Sequence, residues 1–405
     1  MDWLETYLQQ TEESESPRQF FYWSALAALS GVLKNNLYLE RYYYKLYPNI
    51  FVLLIAKSGL KKGVPVLLAK NIVEAVDNNR VIHGRSSVQA IITDLSQAFT
   101  RESGGPPITE ATAFISSGEL STAFVRDQDS LTIMTDLYDS NYNEKWRNSL
   151  KGSGQEQLKS VCLTLLGALN PTHYNDLVTV KEVTGGFVGR CILVQADKRA
   201  RKNPLTRPPK VRFDTKMLSD HLRLLATIKG EFQWSPEGME FYEGWYDKWN
   251  PEEHEDKTGS LNRVADTVLK AAMLIALARR GENVLRPNDI EESIRECLPR
   301  AKAAEHISSH GESPIATLKK KFIQILLSAQ ANTASKQHIL RHHYMDFDVA
   351  TLDSVVETLE LGGVITVERG LEITYQLKPE VAEKFRVIVE AIEKGQAQVK
   401  KEEAS

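Results

Sequence analysis

The residues best suited to chemistry lie in a short loop of glycine and lysine that follows an apolar run. Residues 50–55 (IFVLLI) lack polar alternation, which is typical of a strand buried on both faces of a parallel sheet. The loop, residues 56–63 (AKSGLKKG), follows this run, and a helical pattern begins at residues 66–76. Because open α/β sheets bind ligands at the carboxyl ends of their strands, the loop is a candidate phosphate site. A plain strand–loop–helix connection accounts for it equally well.

The loop keeps one part of a Walker A phosphate-binding motif. In that motif glycines admit backbone N–H groups to the phosphates, a lysine reaches the β- and γ-phosphates, and a hydroxyl binds magnesium. Lys62 occupies the lysine position, but Ala56 and Lys61 stand where the glycines belong. Gly63 replaces the hydroxyl. The residues predicted to contact a nucleotide are Ser58, Gly59, Lys61, Lys62 and Gly63.

Two later strand patterns end in polar residues that suit nucleotide hydrolysis. Residues 111–115 lead into Ser-Ser-Gly-Glu, the shape of a Walker B element, in which Glu119 can orient the attacking water. Gly118 stands where the metal-binding aspartate belongs. Alternatively, Glu119 simply starts the next helix, where an acid suits the dipole. Residues 160–169 form another strand pattern that ends in Asn170, either a γ-phosphate sensor or a turn-forming Asn-Pro.

An arginine precedes the last predicted strand of the sheet. Residues 184–197 contain two glycines, an aromatic residue and Arg190 in front of an apolar run. Held on a glycine-rich loop, Arg190 could reach a nucleotide of its own chain or of a neighbour as an arginine finger. The linker at residues 198–210 is rich in proline and basic residues, and it is either solvated or a patch for a phosphate backbone.

Three further segments have partners that the sequence leaves open. Residues 130–150 mix acidic, aromatic and basic residues, as is typical of a loop facing a partner. The helix predicted at residues 261–278 carries Arg263 and Lys270 on one side, facing either a nucleotide or neighbouring carboxylates. Residues 306–313 are predicted to form a linker.

Composition narrows the classes of protein that the chain can represent. The 405 residues carry a formal charge of −3, with 42% hydrophobic and 25% charged residues, as in globular proteins of two or three domains. No apolar run reaches the roughly 18 to 20 residues of a membrane helix, and residues 1–30 lack a signal peptide, so we expect a cytoplasmic protein without a membrane partner. The cysteines expected to be reduced core residues are Cys162, Cys191 and Cys297.

The pattern divides the chain into five segments. We expect an N-terminal helical and aromatic segment at residues 1–47, an α/β core at 48–210 and an all-helical extension at 211–305. Residues 314–378 combine three helices with a terminal hairpin, which is the pattern of a winged helix-turn-helix domain. Its third helix is acidic, so both DNA binding and protein docking remain open. Residues 379–405 are a helix and a charged tail.

In this order, the elements resemble an uncharacterised P-loop family of phages and mobile elements. Members of that family look like RecA-type replicative helicase motors and are often found with primases. The family's loop is commonly Ser-Gly-x-x-Lys, which matches Ser58, Gly59 and Lys62. The resemblance covers roughly residues 3–278, and the winged helix is an appended module. The residues that carry it further along the chain are Glu119, Asn170, Arg190 and Lys270.

The resemblance implies a RecA-like P-loop NTPase core that uses ATP and Mg²⁺. The phosphate-binding lysine, Walker B glutamate, sensor and arginine finger would be Lys62, Glu119, Asn170 and Arg190, respectively. The chain departs from the usual pattern at Gly63 and Gly118, which removes both usual protein anchors for magnesium, so the metal ligands are unknown.

Two functions follow from these residues. The first is an ATP-dependent nucleic-acid motor, a helicase-like ATPase of phage or mobile-element replication. It would act on single-stranded DNA as a homo-oligomer, with a ring in which a neighbour's Arg190 completes the site. The alternative is a non-hydrolysing RecA-like module that loads or regulates other replication proteins through its winged helix. Retention of Lys62, Glu119 and Arg190 together favours the motor, because an inert descendant would keep its core but not its charges.

Overall fold

A five-stranded parallel sheet forms the centre of the larger of the chain's two units. The computed structural model describes residues 1–76, 81–83, 88–96, 111–120, 128–139, 145–150, 154–171, 173–174, 184–204, 206–253, 256, 258–310, 314–344 and 346–383. The larger unit spans Met1–Gly311 and the smaller unit spans Glu312–Ser405.

The larger unit alternates helices and strands along the chain. Its helices are α1 (Trp3–Gln10), α2 (Arg18–Leu33), α3 (Gly63–Val76), α4 (Val88–Ser96), α5 (Gln128–Asp139), α6 (Thr184–Phe187), α7 (Thr215–Leu225), α8 (Pro236–Tyr246), α9 (Val264–Arg280) and α10 (Pro287–His310). Its strands are β1 (Leu37–Glu40), β2 (Lys45–Leu46), β3 (Phe51–Ile55), β4 (Val81–His83), β5 (Thr112–Ser117), β6 (Lys145–Leu150), β7 (Gly154–Lys159), β8 (Cys162–Leu169), β9 (Cys191–Gln195), β10 (Gly230–Glu231), β11 (Gln233–Trp234) and β12 (Val284–Leu285).

The central sheet has the strand order β4-β5-β8-β3-β9, and every neighbouring pair is parallel. The expectation of an α/β fold with a buried parallel sheet is therefore confirmed. Because all five strands run the same way, their last residues meet at one edge, which we call the carboxyl edge, and their first residues meet at the opposite amino edge. A residue that directly follows a strand is thus separated from a residue that directly precedes one by about the length of a strand.

The apolar run of β3 is buried because the sheet is covered on both faces. Val52 and Leu54 pack into one cluster, with α1, α2, α3 and α9. The alternate residues of β3 pack into a second cluster, with α4 and α5. Helix α2 lies across the sheet so closely that Gly31 approaches Phe114 of β5, and Ser30 Oγ is 2.7 Å from Thr164 Oγ1 of β8.

The first three predicted segments share one core. Trp3 of α1, Val52 of β3 and Leu274 of α9 belong to the same buried cluster. The N-terminal segment and the helical extension are therefore integral to the sheet's covering, and residues 47 and 210 do not separate independently packed units.

Three local expectations are wrong. Residues 130–150 are not a loop facing a partner, because α5 covers their start and β6 pairs with β7 at their end. Leu131, Met134 and Leu137 recur every three residues and are fully buried, which is a helical period. Helix α10 continues to His310, into the linker expected at residues 306–313. The extension is not all helix, since it contains the two-residue strands β10, β11 and β12.

The smaller unit has three helices and an antiparallel sheet around its own core. The elements are α11 (Pro314–Ser328), α12 (Lys336–His342), α13 (Val349–Leu361), β13 (Thr333–Ser335), β14 (Ile365–Arg369) and β15 (Ile373–Leu377). The sheet order is β13-β15-β14, so the predicted helices and hairpin are present together with one short strand that the pattern did not indicate. Phe322 and Tyr375 pack edge to face in the core. The expected tail lies outside the described residues beyond residue 383.

Two general expectations can also be compared with the structure. Cys162, Cys191 and Cys297 are buried and form no disulfide bond, as predicted for core cysteines. Within the described ranges, the chain contains no helix with the length and apolar character needed to cross a membrane.

Gly31→Ala is expected to destabilise the protein, although alanine forms helices better than glycine. A Cβ at position 31 would lie 2.7 Å from Phe114 Cδ2. Overpacking of this kind costs about 1–3 kcal/mol and outweighs a helix-propensity gain of roughly 1 kcal/mol. Urea unfolding measures the difference.

Gly244→Ala in α8 is the matched control. A Cβ at position 244 has no atom within 4 Å, so this variant should gain roughly 1 kcal/mol. Equal stabilisation by both substitutions would contradict the close packing of α2 on β5.

Candidate functional site

The lysine loop lies at the carboxyl edge, between β3 and α3. After the buried Ala56, the chain exposes Lys57, Ser58 and Gly59, buries Leu60, and exposes Lys61. Gly59 has φ +91° and Lys61 has φ 57°, so the backbone turns sharply at both positions. A left-handed φ suits glycine, whereas Lys61 adopts one with a side chain.

Contacts to neighbouring segments define the shape of the loop. Ala56 N donates to Leu169 O at 3.2 Å, and Ser16 Oγ donates to Lys61 O at 2.9 Å. Lys62 is half-buried directly before α3, and its ammonium group forms no hydrogen bond or ion pair with another of the described residues. The predicted phosphate loop is therefore an open turn in front of a 14-residue helix, whose N-terminal dipole favours an anion.

Asn170 and Glu119 lie at the same edge as the loop. Ile55 pairs with Leu169 and Ser117 pairs with Gly167, so β8 lies between β3 and β5. Continuing this register places Glu119 level with Leu169. Neighbouring strands are about 4.8 Å apart, so Asn170 is one spacing and Glu119 about 10 Å from the line of β3.

The two polar residues differ in what their side chains already do. Asn170 Oδ1 accepts a hydrogen bond from His173 N at 2.8 Å, the turn-forming role of an Asn-Pro sequence. Glu119 is exposed, and its carboxylate forms no hydrogen bond or ion pair with the described residues. The alternative that Glu119 starts a helix concerns residues from 121 on, which lie outside the described residues.

The basic linker reaches the carboxyl edge but is partly neutralised there. Arg199 Nη1 bonds to Glu15 Oε1 at 2.9 Å, and Arg201 Nη2 lies 3.6 Å from Glu12 Oε1. The same α1–α2 connection holds the lysine loop through Ser16. The linker is therefore tied to acids beside the loop, in addition to being exposed to solvent.

Arg190 lies at the opposite, amino edge of the sheet. It ends a 3₁₀ turn behind α6, and the next residue, Cys191, pairs with Phe51 at the start of β3. A helical turn therefore replaces the glycine-rich loop expected here. Five residues of β3 separate this edge from the loop, roughly 17 Å. Arg190 therefore cannot contact a nucleotide bound by its own chain.

A hydrogen-bonded fork holds the Arg190 guanidinium. Nε donates to Asp139 Oδ2 at 3.0 Å, Nη2 pairs with the same carboxylate, and Nη1 donates to Gly186 O at 2.8 Å. Gly189 permits a close approach beside it, since a Cβ there would lie 2.4 Å from Thr258 O. Arg190 is therefore fixed within its own chain.

A cavity of about 310 Å³ lies beside Arg190 and contains the other two cations noted in the sequence. Lys270 is only 5% exposed, and its Nζ donates to Asn49 Oδ1 at 2.9 Å and lies 3.9 Å from the centre of the Tyr138 ring. Arg263 lines the same cavity. Neither faces the lysine loop, and of the two alternatives open for them the structure favours the one beside carboxylates, because Asp139 and Asp266 line the same cavity. The residues that complete this cavity include Asn49, Asp139 and Asp266.

Burial changes the proton affinity of these cations. It lowers the pKa of Lys270 to about 8. Burial, followed by the nearby Arg190 charge, also lowers the pKa of Arg263. Sequence reasoning missed Asn49, for which the one available signal is a polar residue directly before a fully apolar strand.

Lys270→Met is expected to remove a rise in stability at alkaline pH. In the unfolded chain a lysine titrates at about 10.4, whereas burial lowers the pKa of Lys270 to about 8. Between these values the unfolded chain binds more protons, so the free energy of unfolding increases with pH, by roughly 1.5 kcal/mol from pH 8 to 9.5. Urea unfolding at the two pH values measures it.

The matched control is Lys216→Met, because Lys216 is exposed and ion-paired with Asp220. This variant should keep the alkaline rise. The same rise in the wild type and in Lys270→Met would show that Lys270 is not the group responsible.

The lysine loop, Asn170 and Glu119 therefore lie at the carboxyl edge of the sheet. Arg190, Arg263 and Lys270 lie at the amino edge. Compared with protein-family models and with curated proteins, the chain matches no family model and no curated protein.

Proposed function

We propose that the larger unit is a RecA-like P-loop ATPase core that acts as an ATP-dependent nucleic-acid motor, a helicase-like enzyme of phage or mobile-element replication. The observation that supports this best is the alignment of the lysine loop, Asn170 and Glu119 on three adjacent parallel strands. A phosphate on the loop would meet Lys62 and the start of α3. Asn170 and Glu119 follow at one and two strand spacings.

Each residue has a role that its surroundings permit. Lys62 would neutralise the β- and γ-phosphates, and the turn at Gly59 would bring backbone N–H groups toward them. Glu119 is exposed at the level where a γ-phosphate would lie, so its carboxylate could orient the attacking water and accept its proton. Asn170 would use the second N–H of its Nδ2 group, because Oδ1 accepts from His173 N and Nδ2 already lies 3.3 Å from His173 Nδ1.

The donor set fits ATP better than it fits a protein-anchored magnesium ion. Gly63 and Gly118 offer no side-chain oxygen, and within the described part of the chain no group of three His, Cys, Asp or Glu residues could hold a metal. Ser116 Oγ has no hydrogen-bond partner among the described residues, but Ser116 is only 2% exposed, so an incoming metal ion could not reach this oxygen. Mg²⁺ would therefore arrive with the phosphates, which it usually contacts while keeping several waters.

The position of Arg190 makes the proposed motor an oligomer. An arginine at the amino edge can serve only a nucleotide held by another chain, so one copy's amino edge must face the next copy's carboxyl edge. This contact is heterologous, and it closes into a ring if the rotation permits. Arg190 would exchange its bond with Asp139 for the γ-phosphate, as arginine fingers do.

The alternative is a non-hydrolysing RecA-like module that loads or regulates replication proteins. Three observations favour it: the missing magnesium anchors, the use of Asn170 as a turn cap, and the bonds that hold the Arg190 guanidinium to Asp139 and Gly186 of its own chain. In this case ATP binding, if retained, would set the shape of the loop rather than drive movement.

The smaller unit would contact DNA or a protein as a winged helix. Its α13 carries Asp353 and Glu360, whose carboxylates pair with Lys336 and Arg369. A helix that reads a DNA groove is expected to be basic. The charges of α13 therefore favour docking of a replication protein, and single-stranded DNA would be the track of the larger unit.

Lys62→Ala is expected to weaken nucleotide binding strongly and to remove DNA-stimulated turnover with it. Loss of a charge-assisted contact of about 1.5–3 kcal/mol weakens binding roughly 10- to 100-fold. Fluorescent-nucleotide titration and phosphate release with and without single-stranded DNA measure the two effects. Lys57→Ala, an exposed lysine of the same loop, is the matched control and should keep both.

Glu119→Gln separates the motor from its alternative. We expect unchanged binding and turnover reduced about 10²- to 10⁴-fold, because the proton acceptor is lost. Wild-type protein that binds ATP but shows no turnover would support the non-hydrolysing module. Turnover unaffected by Lys62→Ala would end the motor hypothesis.

Mixing two inactive variants tests the neighbour's finger. Arg190→Ala keeps the loop and Lys62→Ala keeps the arginine, so one interface in four of an equal mixture joins an intact loop to an intact arginine. Turnover should recover to about a quarter of the wild-type value if the contact is heterologous. Lys57→Ala mixed with wild type should stay fully active, and no recovery in the variant mixture would contradict donation between chains.

A further inference from the structure

The cavity at the amino edge contains more positive than negative side chains. It lies between the start of β3, the end of α5, the residue before β9 and one side of α9. The cations that line it are Lys45, Arg190, Arg263 and Lys270, and the carboxylates are Asp139 and Asp266.

Lys270 is the most deeply buried cation of this cavity. The residue is 5% exposed, and its Nζ donates one hydrogen bond, to the neutral Asn49 side chain. Across the described ranges, no carboxylate oxygen is recorded within 4.0 Å of its Nζ. An ammonium has three N–H donors. One bonds to Asn49 and the group also lies over the Tyr138 ring, so a donor remains for a further acceptor. Asp139 and Asp266 act on Lys270 only from a distance, and a buried charge without a directly paired counterion is costly, so an anion in the cavity would lower this cost.

The carboxylates around the cavity are already engaged. Asp139 accepts from Arg190 Nε at 3.0 Å. Asp266 accepts from Tyr44 Oη at 3.1 and 3.3 Å. The charge of Arg190 also disfavours the charged form of Arg263. Mutual repulsion of the cations would fall if an anion lay between them.

We propose that this cavity binds a tetrahedral oxyanion, a phosphoryl group or its sulfate analogue, with Lys270 and Arg263 as its principal contacts. Cations approach from α9 and from the segments before β3 and β9, which suits an anion with oxygens in several directions better than a planar carboxylate. A volume of about 310 Å³ accommodates pyrophosphate as well as a single phosphate with water. This proposal does not depend on nucleotide binding by the Lys62 loop.

Two sources present the same chemistry. One is free phosphate or pyrophosphate, and the other is the terminal phosphate of a nucleotide held by a second copy. Titration of pyrophosphate into Lys62→Ala protein isolates the first source, because the lysine loop is then disabled. Titration of ATP-loaded Arg190→Ala protein into Lys62→Ala protein tests the second.

Calorimetric titration of pyrophosphate should show one saturable site in Lys62→Ala, weakened about tenfold or more by the added change Lys270→Met. Arg263→Gln, which alters a partly exposed side chain, should weaken the site as well and covers the case in which Lys270→Met fails to fold. Lys216→Met is the matched control and should leave the affinity unchanged.

A sulfate titration adds a readout that a purely structural lysine would not change. Sulfate keeps its charge from pH 6 to 9, so a change in affinity reports the protein. The charged and titratable groups around Lys270 are Asp139 from α5, Asp266 from α9, Arg263 before α9, Arg190 before β9, Lys45 from β2 and Cys162 from β8. Because burial lowers the pKa of Lys270 to about 8, its charge is lost in this range and the affinity should fall as the pH rises through about 8.

The outcomes decide the proposal. Saturable pyrophosphate binding that depends on Lys270 supports the free anion as the source, and binding seen only with ATP-loaded partner protein supports the neighbour's nucleotide. Absence of binding in both arms, or pyrophosphate affinity that survives both Lys270→Met and Arg263→Gln, overturns it. Because Lys62 is absent from the first arm, this result is independent of whether the lysine loop binds ATP.

Discussion

The common direction of five strands is the constraint on which the larger unit depends. Parallel strands place every loop that follows a strand at one edge and every residue that precedes a strand at the other. The lysine loop, Asn170 and Glu119 are therefore neighbours, although more than a hundred residues separate the first from Asn170 along the chain. The same rule keeps Arg190 away from them, so its chemistry belongs to a different surface.

Burial distinguishes the two lysines that matter most. Lys62 lies directly before α3, half-buried at a surface turn. Lys270 is enclosed by its own helix α9, Asn49 and Tyr138, and its proton affinity falls because water is excluded. The charge of Lys270 therefore depends on the pH near 8, which makes the amino edge of the sheet the pH-sensitive one.

Sequence patterns predicted the strands and much of the helical order because those features depend on local periodicity. The apolar runs of β3 and β8 are buried on both faces, as their composition required. Two kinds of information were inaccessible. The charge-rich surface of α5 concealed the helical repeat of Leu131, Met134 and Leu137, and the edge to which Arg190 belongs depends on strand order. Spacing along the chain gives neither the register of a sheet nor the partners of a buried cation.

The single core shared by α1, α2, β3 and α9 makes the helical extension a condition for the stability of the sheet. Without α9, one face of β3 and α2 would be open to water, so a chain that ended before α9 would lose the fold of the sheet rather than keep a smaller stable domain. The smaller unit has a core of its own, and none of the buried residues of that core belongs to the core of the larger unit.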